Sequence, residues 1–329
     1  MRITVLAGGV GGARFLLGMR ERLAQEPGEH ELTAVVNTGD DAWVAGLRIT
    51  PDLDSIMYAL AGVNDTVRGW GRAGESERVS AELTAWGVGW PWFTLGDLDL
   101  GAHIARTSWL REGLPLSTAV ERLTARWPLG ARLLPATDDE VETWVRVADD
   151  DGTERAIHFQ EWWVRHRSSL PAVGFEHRGQ GSARPAPGVR EAIADADVVV
   201  LAPSNPVVSV GPILGIPGIT EAVRAASAPV VGVSPIIGGA VVRGMADACL
   251  AAIGVETSAD AVAGLYGPRA AGGVLDGWLV DEVDAALTAG IAASGMAVRA
   301  VPLWMRDPQT SAALAGEVLA LAREVRQAG

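Results

Sequence analysis

Residues 1–19, MRITVLAGGVGGARFLLGM, join an apolar run at Ile3–Ala7 to a cluster of glycines and then to a helical pattern near Ala13–Gln25. A strand that ends in glycines and turns into a helix aims free N–H groups and the positive end of the helix dipole at the space beyond the strand, which favours an anion. Gly8, Gly9, Gly11 and Gly12 are therefore candidate phosphate-cradling residues. Arg14 adds a planar donor matched to phosphate oxygens. The same glycines would also serve a tight βα turn with no ligand.

A dinucleotide fingerprint would need a third glycine where Arg14 stands, and an acidic residue at the end of the second strand to meet a ribose hydroxyl. The second apolar run, Leu32–Asn37, ends instead in NTGDD, so NAD and FAD are demoted. The chain has no lysine and 27 basic residues, all arginine, which excludes a Walker P-loop, a pyridoxal Schiff base and a lysine base. A net charge of −13 argues against non-specific nucleic-acid binding and a membrane-surface role. The single Cys249, the lack of a secretory pattern at the start and the lack of a long apolar span lead to the expectation of a soluble cytoplasmic protein.

The pattern of strands and helices resumes downstream. PDLDSIMYALAG places Leu53, Ile56, Met57 and Leu60 at helical spacing, with Asp52, Asp54 and Ser55 in the first turn. Val198–Ala202, Val230–Val233 and Val298–Val301 read as strands, and Pro308–Gln327 as a closing helix. The expected fold class is α/β: a Rossmann-like, doubly wound, mainly parallel sheet. Its core would be residues 1–63 and 182–329, interrupted by a mostly helical insertion at 64–181. Ten of the twelve tryptophans lie between Trp43 and Trp163, and RGQGSARPAPG (178–188) reads as the return to the core.

Ligands of such sheets bind beyond the carboxyl ends of the strands. Four segments occupy such ends: Gly8–Arg14, Asn37–Asp41, Pro203–Ser209 and Ser234–Gly239. Asp40 and Asp41 sit where a divalent metal would bridge to a diphosphate, although GDD is equally a solvated turn. Asp54 could add a third carboxylate or accept a proton, or be a helix-start charge only. Ser204 and Asn205, flanked by prolines, could read a nucleobase edge or a phosphate, or form an Asx or proline turn. Ser234 is a further candidate on the loop after the Val230–Val233 strand. His103 and His158 could line a pocket, but read more readily as hydrogen-bonded structural residues. Trp90, Trp92, Trp162 and Trp163 could stack on a flat heterocycle or belong to the core.

Taken together, VLAGGVGGARFLLG, AVVNTGDDAWVAGLRITPDLDSIMYAL, RLLPATDD, IHFQEWW, APSNPVVSVGPILGIPG and SPIIGGAVVRGMAD resemble, in order and over nearly the whole chain, the phospholactate/phosphoenolpyruvate transferase family of coenzyme F-420 biosynthesis, most of all its actinobacterial branch. The resemblance implies transfer of a phosphoenolpyruvyl or 2-phospholactyl group from a guanosine-diphosphate-linked donor to the ribityl hydroxyl of 7,8-didemethyl-8-hydroxy-5-deazariboflavin, with release of GMP. It also implies Mg²⁺ and a homodimer. By motif, Asp40 corresponds to the metal ligand, Asp54 to the residue contacting the deazaflavin, and Gly8–Arg14 with Ser204–Asn205 to the nucleotide-diphosphate site. One segment departs from the family: TLGDLDL carries Thr94 and Leu98 where many members have a basic residue and an arginine. A competing reading is a related family of non-catalytic, nucleotide-sugar-binding regulators that share the glycine loop and the acidic turn.

Overall fold

The computed structural model describes residues 1–149 and 151–328. Strand β1 (Arg2–Ala7) leads into helix α1 (Gly9–Gln25), then β2 (Glu31–Val36), a short hairpin of β3 (Ala42–Val44) and β4 (Leu47–Ile49), and α2 (Pro51–Ala61). Helices α3 (Arg78–Ala85), α4 (Asp97–Arg111) and α5 (Leu116–Thr124) follow. Four strands come next: β5 (Arg132–Pro135), β6 (Glu142–Ala148), β7 (Glu154–His158) and β8 (Ala172–Arg178). The chain then returns through β9 (Val198–Leu201), β10 (Val230–Val233), the hairpin β11 (Ile236–Ile237) and β12 (Ala240–Val241), β13 (Gly277–Val280), β14 (Ala297–Ala300) and a C-terminal helix (Pro308–Ala328).

Seven strands form one parallel sheet in the order β14-β13-β10-β9-β1-β2-β5. Its strands are continuous apolar runs because both faces are covered. In β1, Ile3, Val5 and Ala7 pack with Phe15 and Leu16 of α1 and Leu314 of the C-terminal helix, while Leu6 turns to the opposite core with Val199 and Leu201. Beyond β1 the chain builds first toward β2 and β5, and only later returns to β9 on the other side. The β1–β9 boundary is thus the topological switch point, where open α/β sheets bind ligands.

The insertion is corrected in its second half. Helices α3–α5 fill the first part, but β5 joins the main sheet beside β2, and β6–β8 form a separate antiparallel sheet in the order β7-β6-β8. Thr143, Val145 and Val147 of β6 are buried and alternate with more exposed neighbours, a period of two rather than a helical one. Trp162 packs into the core against Phe159 and Phe175. No single helix among the described residues is long and apolar enough to cross a membrane.

Candidate active site

A cavity of about 970 Å³ opens over the switch point. Its lining includes Gly8, Gly9, Gly11 and Arg14 after β1, Asp40 after β2, and Asp52, Asp54 and Tyr58 of α2. Ser204 and Asn205 after β9 and Ser234 after β10 also reach it. The glycines are there for backbone reasons. Gly9 has φ of +61°, and a Cβ on Gly11 would lie 2.4 Å from the Pro203 carbonyl oxygen. Gly8 and the β9 loop are tied together, because the Ser204 hydroxyl accepts from the Gly8 N–H at 3.1 Å and donates to the Gly8 carbonyl at 2.7 Å.

The floor is acidic. The Asn37 amide nitrogen donates to Asp52 Oδ2 at 2.9 Å, to Asp40 Oδ1 at 3.3 Å and to the Val208 carbonyl at 3.1 Å. Asp40 and Asp52 therefore share one donor group. Burial raises the Asp52 pKa to about 6, against the lowering effect of Asn37 and the Gly9 N–H. Burial, with the charge of Asp52, holds Asp40 well above the usual carboxylate range.

A second cluster stands beside it. Asp54 pairs with the fully buried Arg106, and its Oδ2 lies 3.2 Å from Thr50 Oγ1 and 3.5 Å from His103 Nδ1. His103 Nε2 is 3.3 Å from Asp99 Oδ1, which also accepts from the Tyr58 hydroxyl at 2.6 Å. Burial raises Asp54, although Arg106 and His103 oppose it. Burial would push Asp99 up too, but His103 and Tyr58 hold it below its ordinary value. One ligand atom each from Asp54, Asp99 and His103 lies within 4.8 Å of the others, so this cluster could hold a metal. Aromatic side chains, Trp70, Trp92, Phe93 and Trp163, complete the wall toward the insertion.

Residues 3–299 match the family described as 2-phospho-L-lactate transferase CofD. The chain belongs to the CofD family. It is 56% identical over 328 residues to the phosphoenolpyruvate transferase of Mycolicibacterium smegmatis (strain ATCC 700084 / mc(2)155), covering 98% of this chain and 99% of that one. The phosphoenolpyruvate transferase of Thermobifida fusca (strain YX) is 56% identical over 331 residues, covering 99% of each. That of Streptomyces coelicolor (strain ATCC BAA-471 / A3(2) / M145) is 53% identical over 328 residues, covering 100% of each. The X-ray structure of protein BH3568 from Bacillus halodurans aligns with a TM-score of 0.60 and 17% identity, covering 97% of this chain and 99% of that one. At that identity the likeness is one of fold.

Within this CofD-family chain most of the expected loops converge, but the side chains divide. Asp40, Asp54, Arg14 and the glycines Gly8, Gly9 and Gly11 line the cavity, whereas Gly12 is buried behind it. Asp41 does not line it: its carboxylate is fully buried and faces Arg48 at 3.6 Å, so the adjacent aspartates point to different places. Asn205 makes the Asx turn, its Oδ1 accepting from Val207 and Val208 N–H at 2.9 and 3.2 Å. The Ser234 hydroxyl is likewise engaged locally, with the Ile236 carbonyl and N–H at 2.8 and 3.1 Å. Leu98 does not line the cavity, while Thr94 does.

His158 is structural, as expected: its Nδ1 accepts from the Gln160 N–H at 3.1 Å, and burial and Arg48 lower its pKa to about 4. His103 is not merely structural, because it lines the cavity between two carboxylates. Asp52, Asp99 and Arg106 are site residues that the sequence reading missed, and it gives Asn37 and His103 no specific role. The signal for three of these five was present in α4, where Asp99, His103 and Arg106 are spaced i, i+4 and i+7 on one helix face.

Proposed function

We propose that the protein transfers a phosphoenolpyruvyl or 2-phospholactyl group from a guanosine-diphosphate-linked donor to the ribityl hydroxyl of 7,8-didemethyl-8-hydroxy-5-deazariboflavin, releasing GMP. One observation carries the reading: a single cavity joins a glycine-loop helix N-terminus, a floor of buried carboxylates and a wall of aromatic rings. Those three parts suit a diphosphate, a divalent cation and a flat heterocycle respectively.

The acceptor's hydroxyl oxygen forms a new bond to the donor phosphorus bearing the three-carbon acid. The bond from that phosphorus to the bridging oxygen breaks, GMP leaves with the electron pair, and the hydroxyl proton is lost. Loop N–H groups beyond β1 and Arg14 hold the diphosphate and stabilise charge building on the bridging oxygen. Asp54 orients the hydroxyl and takes its proton on Oδ2; burial makes that carboxylate a stronger base than an exposed one. Arg106 and His103 fix its position.

Mg²⁺ is part of the proposal. Asp40 and Asp52 fit it, being two buried oxygen donors that share one amide and have no cation of their own within ion-pair distance among the described residues. The ion would neutralise the donor's diphosphate there. Asp54, Asp99 and His103 include a nitrogen ligand and already lie against Arg106, which makes them the less suited set for Mg²⁺. A homodimer, implied by the resemblance, and a cytoplasmic setting, expected from the composition, complete the proposal.

The test mixes protein, Mg²⁺, the deazaflavin and enolpyruvyl-diphosphoguanosine, and follows GMP and acceptor mass, with the lactyl donor in parallel. GMP release with the matching mass gain supports the reading. Nucleotide binding with no deazaflavin binding and no product overturns it.

A further inference from the structure

We propose that Arg243 receives the carboxylate of the three-carbon acid carried by the donor, and so selects a carboxylate-bearing donor over a plain nucleoside diphosphate. This rests on the transferase reading above. The donor brings two kinds of anion to one cavity. Its diphosphate is served by the loop after β1 and by a cation on the floor. With the floor cation engaged by the diphosphate, its carboxylate is repelled by Asp54 and by the diphosphate itself, because like charges in a buried site repel strongly. It needs a cation on the opposite wall.

Five arginines line the cavity: Arg14, Arg68, Arg167, Arg243 and Arg306. Arg68 is spent, bonded to Asp65 at 2.9 Å and to Glu75 at 2.7 Å. Arg14 stands beside the glycine loop, with Nη1 3.4 Å from the Met305 carbonyl. Arg306 lies 5.5 Å from the Trp304 ring and beside Asp307. Among the described residues, Arg243 has neither an ion pair nor a side-chain hydrogen bond, and it is exposed to the cavity.

Its placement is what singles it out. Arg243 follows β12, on the β10 side of the sheet, yet its guanidinium abuts Gly69, which follows α2 on the β2 side. It therefore joins two sides of the cavity that also holds the glycine loop in its lining. Gly69 makes room for it: a Cβ there would lie 2.0 Å from Arg243 Nη2, and the glycine has φ of +80°. A planar, unpaired guanidinium is suited to grip a carboxylate with two parallel hydrogen bonds.

Dissociation constants for GDP and for enolpyruvyl-diphosphoguanosine, measured with Mg²⁺ on wild type, Arg243→Gln, Arg243→Lys, Gly69→Ala and Arg167→Gln, test this. Arg243→Gln is expected to weaken the donor about tenfold to a hundredfold and GDP by no more than about twofold. Arg243→Lys should recover part of the loss. Gly69→Ala should copy the selective loss, because its methyl group displaces the guanidinium. Equal loss of both ligands, no loss of either, or a selective loss at Arg167→Gln instead would overturn the assignment. Wild type that binds neither ligand would overturn the transferase reading, and the assignment with it. Wild type that binds both equally would overturn the assignment alone.

Discussion

Asp40 and Asp52 are joined through one side-chain amide: the Asn37 nitrogen lies 3.3 Å from Asp40 Oδ1 and 2.9 Å from Asp52 Oδ2. Two buried carboxylates on one donor repel each other, and a divalent cation between them would turn that repulsion into attraction. Mg²⁺ is therefore expected to stabilise the protein, by about 2.7 kcal/mol when present at roughly a hundred times its Kd. Thermal melts at constant ionic strength check this. The shift should vanish in Asp40→Asn and Asp52→Asn. A shift that survives in both and disappears in Asp99→Asn would move the ion to the Asp54, Asp99 and His103 cluster.

The same pair predicts a pH dependence. Asp52 titrates at about 6 in the folded protein, against an ordinary 3.8. With its folded pKa raised, the native state binds more protons than the unfolded chain between those values, so stability falls as pH rises through that window. Asp40 and Asp54 are raised by burial and act in the same sense. Metal-free protein should therefore be more stable at about pH 5 than at pH 7. Asp52→Asn should gain on the order of 3 kcal/mol at pH 7 and flatten the slope, given about 1.4 kcal/mol per pKa unit. Denaturant titrations across that range measure both, and an unchanged slope in Asp52→Asn would assign the effect elsewhere.

Arg106 is fully buried, and besides Asp54 it reaches the Arg48 carbonyl at 3.0 Å and His103 Nδ1 at 3.2 Å. Arg106→Met leaves Asp54 buried without its cation and is expected to cost about 3–5 kcal/mol. Adding Asp54→Asn should recover much of that loss, since the remaining partner then carries no charge. Strictly additive losses in the double-mutant cycle would show that the pair is not coupled.

Gly11→Ala tests the loop itself. The added methyl group would meet the Pro203 carbonyl oxygen at 2.4 Å, backbone that cannot swing aside. The β1 and β9 loops must part, at a cost of about 1–3 kcal/mol, and GDP affinity should fall with it. Full GDP affinity in a folded Gly11→Ala protein would remove this loop from the nucleotide site.

The sheet was legible because its strands are buried on both faces and carry that burial as unbroken runs such as VVVL at Val198–Leu201. β5 and β13 escaped notice because RLLP ends in a proline and GWLV opens on a glycine, residues depleted in strands. The insertion reads as mostly helical, whereas in β6 Trp144 alternates with the buried Thr143 and Val145, a strand period. In the site, the loops were legible as glycine and aspartate after strands, but the direction of each side chain was not. Asp40 and Asp41 are neighbours in sequence, and only tertiary packing sends one to the cavity and the other to Arg48. Asp99 and His103 needed the converse: α4 had to be placed against α2 before their spacing had a partner in Asp54.

Asp54 carries the last prediction. Its carboxylate lines the cavity, bonded to Arg106 through one oxygen, while Oδ2 is approached by Thr50 Oγ1 at 3.2 Å and His103 Nδ1 at 3.5 Å. Asn at this position keeps the shape and an oxygen for Arg106, but it cannot take a proton from the attacking hydroxyl. Turnover in Asp54→Asn is expected to fall by about 10²–10⁴, the usual contribution of a positioned base, while donor affinity stays within about threefold. Because burial raises the wild-type carboxylate, its activity should be lost on acidification at a pH above the ordinary range for an aspartate, and that acidic limb should disappear from the residual activity of the variant. Single-turnover rates with donor binding measured separately distinguish these effects. Unchanged turnover, or a loss confined to donor binding, would remove Asp54 from proton transfer and leave it a partner of Arg106 alone.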